Sequence, residues 1–106
     1  MTRRIYIAGP MTGMPYMNFP AFNEAARHLR ALGFEVVNPV DLNPDPGAEW
    51  VDCMRADIKA LVDCNAVALL PGWERSRGAT LEFTIAQNLQ LSVGTLDAWL
   101  LSGGIN

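Results

Sequence analysis

Two acidic residues have a type and spacing suited to chemistry. Glu82 opens a helix expected over residues 79–90, and Glu82, Ile85, Ala86 and Leu89 fall at i, i+3, i+4 and i+7, on one face. The acid therefore starts an apolar stripe. A first helical turn favours negative charge by about 0.3–1 kcal/mol, and an anionic, inward-facing carboxylate suits a nucleophile. Asp57 belongs to a helix expected over residues 48–62, where Trp50, Met54, Asp57 and Leu61 share a face. It gains nothing from a helix end, and desolvation raises its pKa, so it is the better proton donor. Each acid also has a bland reading. An acid in a first turn commonly serves the helix dipole, and an aspartate at a helical border is commonly solvated. Spacing alone does not make an active site.

The elements that must hold these acids alternate between strand and helix. Residues 4–8 read as a buried strand stopped by Gly9-Pro10. A loop over residues 11–20 follows, then a helix opened by Pro20, with Phe22, Ala25, Ala26 and Leu29 on one face and Gly33 at its end. Residues 34–38 form a second strand closed by Pro39, and residues 40–47, rich in proline and aspartate, read as a loop. The helix of Asp57 comes next, with Val51, Met54, Ile58, Leu61 and Val62 at helical spacing. The nearly continuous apolar run of residues 65–71 suits a strand covered on both faces. A polar loop over residues 72–78 leads into the helix of Glu82. Residues 91–95 read as a fourth strand and residues 96–101 as a short last helix.

This alternation predicts a single α/β domain over residues 1–106, a three-layer sandwich on a four- to five-stranded parallel sheet of flavodoxin/Rossmann-like type. In such sheets ligands bind beyond the carboxyl ends of the strands. Those ends carry the loops over residues 9–20 and 72–78, both with glycine beside polar groups, and chemistry is expected there.

Composition narrows the partners. Half of the 106 residues are hydrophobic and 18% are charged, enough for one modest core. A formal net charge of −3 argues against a nucleic-acid polymer, yet a few local donors suffice for one small anion. No apolar run is long enough for a membrane span and no signal peptide is visible, so a cytoplasmic, non-membrane protein is expected. Cys53 and Cys64 form neither a disulfide framework nor a zinc pattern, and two reduced thiols with no metal are expected. His28, between Arg27 and Arg30, reads as solvated.

Three segments occur together in one order: Ile5-Tyr6-Ile7-Ala8-Gly9-Pro10, Asp57-Ile58-Lys59-Ala60-Leu61, and Ser76-Arg77-Gly78-Ala79-Thr80-Leu81-Glu82. In this the chain resembles the nucleoside 2-deoxyribosyltransferase superfamily over about residues 4–93. It is nearest the short, often phage-encoded members and the 2′-deoxynucleoside 5′-monophosphate N-glycosidases. The resemblance implies that Glu82 is the nucleophile, that Asp57 positions or protonates the base, and that Tyr6 hydrogen-bonds the nucleophile or the sugar. It implies that the loop from Gly9 through Asn18, with Pro10, Met11, Thr12 and Gly13, cradles nucleotide. Six residues before the glutamate, the nucleoside transferases carry aspartate and the monophosphate glycosidases carry serine; here the residue is Ser76. Serine beside Arg75, Arg77 and the Gly78 amide suits a phosphate, although a loop serine also commonly caps the next helix. Asn65 departs from the short members, which carry aspartate there, with the loop or base pocket as the expected place of any effect. The resemblance further implies a homodimer or higher homo-oligomer, with residues 99–106 available to complete a neighbouring subunit's site.

The chemistry so implied is a retaining displacement at the sugar C1′ that releases free base, with no cofactor. Trp73 is expected to stack on the base or roof the pocket, or else to join the core. Two rivals stand beside it: a module that binds or sequesters a nucleotide without cleaving it, and a glycohydrolase that cleaves NAD at a glutamate.

Overall fold

The first strand explains the layering. In the computed structural model, which describes residues 3–103, β1 (Arg4–Ala8) buries Ile5, Tyr6, Ile7 and Ala8 completely. Successive side chains of a strand point to opposite faces, and here they feed two separate cores. Ile5 and Ile7, with Ala66 and Ala68, meet Phe22, Ala25, Ala26 and Leu29 of α1 (Phe19–Ala31). Tyr6 and Ala8, with Val67 and Leu69, meet Leu61, Ala79 and Ala86 on the other side. Burying an aliphatic or aromatic side chain contributes about 1.5–3 kcal/mol each, so both faces of the sheet are held.

The sheet is four-stranded and all parallel, in the order β2-β1-β3-β4, with β2 at Glu35–Val37, β3 at Ala66–Leu69 and β4 at Ser92–Thr95. Its register sets Ile5 opposite Val36 and Ala66, and Val67 opposite Val93. β1 is followed by β2 on one side and flanked by β3 on the other, so the connections diverge between β1 and β3. That topological switch point, at the carboxyl ends of the two strands, is where a crevice is expected.

Three boundaries differ from the sequence reading. Pro39–Leu42, expected as loop, is a short helix, α2: Asn38 caps it by accepting the Val40 N–H at 3.1 Å, and Pro39 takes the first turn. The third helix, α3 (Trp50–Leu61), starts two residues late, and its buried face is Met54, Asp57 and Leu61, while Val51 and Val62 face outward. The fourth, α4 (Arg77–Asn88), starts two residues early, because Ser76 accepts the Ala79 N–H at 3.1 Å as its N-cap. Glu82 therefore stands in the second turn, and Leu89, the expected end of its stripe, is half exposed. A last helix, α5 (Leu96–Leu101), packs Trp99 edge-on to Phe34. No helix among the described residues is long and apolar enough to cross a membrane.

Candidate active site

The backbone at the switch point leaves little room. A Cβ on Gly9 would lie 2.7 Å from Leu70 Cβ, so the chain leaving β1 can pass the chain leaving β3 only with glycine there. Beyond Gly9, Tyr16, Met17 and Asn18 take three consecutive left-handed conformations, with φ of 52°, 54° and 59°. Such backbone costs about 1–2 kcal/mol per residue. Asn18 braces this turn by donating its amide to the Pro10 carbonyl at 2.9 Å.

Between the diverging loops lies a cavity of about 780 Å³, within the range usual for small-molecule sites. One wall is Gly9, Pro10, Met11 and Thr12, with Met14 and Met17 behind them; the facing wall is Trp50, Cys53, Met54 and Asp57 of α3. Arg75, Ser76, Arg77, Gly78 and Glu82 complete it. The cavity thus grades from thioether and aromatic surface to a cationic rim at the start of α4.

Both acids reach it from buried positions, with Glu82 4% and Asp57 7% exposed. The hydroxyl of Tyr6 donates to Glu82 Oε2 at 2.5 Å, and the amide of Asn43 donates to Asp57 Oδ1 at 2.7 Å. No buried side-chain nitrogen or oxygen among the described residues lacks a partner. The second oxygen of each carboxylate, with no such protein bond, is therefore the one open to the cavity. Burial raises Glu82 to about 8, against the pull of the Tyr6 hydrogen bond and with a push from Asp57. Burial also raises Asp57, to about 6, with the Asn43 hydrogen bond opposing. The raised Asp57 agrees with the sequence reading. Glu82, expected to be the readily ionised partner, is raised further: it lies one turn beyond the helix end, and desolvation outweighs the dipole.

At the rim, the Arg77 guanidinium lies 3.9 Å from the centre of the Trp50 ring. Neither Arg75 nor Arg77 has a carboxylate partner among the described residues, so both charges remain for an anion. Ser76, though capping α4, keeps its hydroxyl proton to donate.

A family model described as "Domain of unknown function (DUF4406)" matches residues 3–95. The chain belongs to the DUF4406 family. No curated protein matches it.

Within this DUF4406 domain the residues singled out by sequence divide in two. Glu82, Asp57, Gly9, Pro10, Met11, Thr12, Ser76 and Gly78 line one cavity. Tyr6, Gly13, Asn18 and Trp73 are not among its lining residues. Tyr6 is fully buried, and its hydroxyl is committed to Glu82. Gly13, at φ 82°, serves the turn, and Asn18 braces it. Trp73 stacks against Phe83 with ring centres 4.6 Å apart, joining the core under α4 and not roofing the pocket. Asn65 accepts the Arg4 N–H at the opposite end of the sheet, away from the cavity. Trp99 donates its indole N–H to the Val67 carbonyl of its own chain at 2.9 Å. Residues 104–106, the end of the segment proposed to reach a neighbour, lie outside the described residues. His28 is exposed, 3.6 Å from Glu24.

The sequence reading passed over Asn43, Cys53 and the two loop methionines. Cys53 was accessible to it, since positions 50, 53, 54 and 57 follow helical spacing. Asn43 was not, because its partner lies 14 residues away on a different element.

Proposed function

We propose that this protein cleaves the N-glycosidic bond of a 2′-deoxynucleoside 5′-monophosphate and releases the free base. The observation that carries this reading is the pair of buried carboxylates, each with one oxygen tied back by a protein donor and the other open to a shared cavity. Glycosidic cleavage asks for that pair: one carboxylate to attack and one to manage the proton. The open oxygen of Glu82 attacks C1′ as the C1′–N bond breaks and its electrons pass to the base. Asp57 delivers its proton to the departing base nitrogen. Asp57, now ionised, then takes a proton from water as that water attacks C1′ of the glycosyl ester, and Glu82 leaves as carboxylate. Tyr6 stabilises the ionised form of Glu82 at both ends of the cycle.

The cationic rim supports the monophosphate. Arg75, Arg77, the hydroxyl of Ser76 and the free backbone N–H groups at the start of α4 form an anion site. The thioether and indole surface of the remaining wall suits a flat, polarizable base. Homodimerisation is proposed on the resemblance, with the exposed Val51 of α3, Leu81 of α4, and Val62 and Leu89 at the ends of these helices as apolar surface to cover; sedimentation equilibrium tests it.

Chromatographic detection of free base from deoxynucleoside monophosphates, ribonucleotides, deoxynucleosides and NAD tests the function. Release from deoxynucleoside monophosphates by wild type, abolished in Glu82→Ala, is the expected result. Release from NAD alone would replace the substrate, and nucleotide binding with no release from any compound would leave a sequestering protein.

A further inference from the structure

The shortest side-chain contact to Asp57 comes from a residue that does not line the cavity. Asn43 ends α2, donates to Asp57 Oδ1 at 2.7 Å, and turns the same amide toward the Pro39 carbonyl at 3.5 Å. Both neighbours are acceptors, so the nitrogen of the amide is the atom between them. α2 is itself tied down on its other side: Asn38 caps it through Val40 and donates to Asn23 of α1 at 3.0 Å. A run of side-chain amides thus leads from α1, through a four-residue helix, to the carboxylate of α3.

We propose that Asn43 is a positioning residue that fixes which oxygen of Asp57 carries the proton. By donating to Oδ1 it makes that oxygen a committed acceptor and leaves the proton on Oδ2, the oxygen open to the cavity. It also holds the carboxyl plane, so that the proton is offered in one direction. The proposal rests on the reading of Asp57 as the group that protonates the leaving base, but the contact itself is independent of any activity.

The other titratable or charged groups around Asp57 are Cys53 on its own helix, Glu82 on α4, Tyr6 on β1, and Arg75 and Arg77 lining the same cavity. Glu82 titrates near 8 and the thiol and phenol are raised above their ordinary values. The Asp57 titration is therefore identified as the one that Asp57→Asn removes.

The test reads Asn43 directly in the intact wild-type protein. Its side-chain amide signals, followed by nuclear magnetic resonance from pH 4.5 to 8, should shift with a midpoint near 6 and cease to do so in Asp57→Asn. In Asn43→Ala, the Asp57 carboxyl carbon should titrate higher by about one unit, the share of one hydrogen bond to a carboxylate, and kcat for base release should fall with KM nearly unchanged. An Asn43 amide insensitive to pH in wild type, or an Asp57 midpoint unmoved in a folded Asn43→Ala, would overturn the proposal. Moved midpoints in a wild type that releases no base would instead overturn the glycosidase and leave the hold of Asn43 on Asp57 standing.

Discussion

Removing the Tyr6 hydroxyl has a consequence that depends on pH in a way structural damage would not imitate. With Glu82 near 8 and Asp57 near 6, the pair holds one proton between those values. The productive arrangement, Glu82 ionised and Asp57 protonated, is the minority form. A hydrogen bond to an ionised carboxylate contributes about 1.5–3 kcal/mol, so Tyr6→Phe should raise Glu82 by about one to two units. The productive form then falls a further tenfold to hundredfold, and kcat/KM at pH 7 falls by the same factor. Well above the upper limb the fraction in the productive form depends on Asp57 alone, so the mutant and wild-type curves should converge there. The assay is base release across pH 5 to 10, with the Glu82 carboxyl carbon followed in parallel. A mutant profile lowered equally at every pH, or a Glu82 midpoint that does not rise, would refute this account of the pair.

Other expectations concern stability and binding. The folded pKa of Glu82 lies above its ordinary 4.5, so the stability it contributes is full below about pH 4.5 and is lost as pH rises through about 8. Glu82→Gln escapes that loss and should be more stable than wild type at pH 8 by a few kcal/mol, about 1.4 per unit, in thermal melts across pH while releasing no base. Arg77→Ala removes one rim charge and the partner of Trp50; KM for a deoxynucleoside monophosphate should rise by roughly tenfold, with deoxynucleoside turnover unchanged in the same steady-state assay. Gly9→Ala forces a Cβ to within 2.7 Å of Leu70 Cβ and should destabilise the fold by about 1–3 kcal/mol in urea titration.

Much of the architecture was legible because its signals are local. A short apolar run between Arg4 and Gly9, and another at residues 66–69, each bounded by turn residues, suit strands covered on both faces, and the spacing of Phe22, Ala25, Ala26 and Leu29 marks the buried face of α1. Both loops of the cavity follow from that alternation, because they leave the carboxyl ends of β1 and β3, whereas the strand order that makes this a switch point rests on pairing between distant segments. What failed was punctuation. Asn38-Pro39 ends β2 and also begins α2, and the sequence reading took only the first role. Ser76 was read as ligand or cap, and as cap it draws Arg77 and Gly78 into α4, which moves Glu82 away from the helix end and reverses the expected order of the two acids. Trp73 turned inward because a tight turn over Trp73–Arg75 points it at Phe83, a rotation that no periodicity reveals.

The two acids themselves argue for chemistry over architecture. A glutamine at position 82 would keep the Tyr6 hydrogen bond, fill the same space and never ionise. An asparagine at 57 would still accept from Asn43. Either amide would serve the fold better at neutral pH, where burying an ionisable carboxyl forfeits stability. A domain of this size has little to spare, since the margin of a small domain is only about 5–15 kcal/mol. Yet the chain places both acids against one cavity, ties each by a single oxygen, and raises both pKa values toward neutrality. A raised carboxyl on a cleft suits proton transfer near neutral pH, and the two hydrogen bonds that hold these side chains do not require either of them to be an acid.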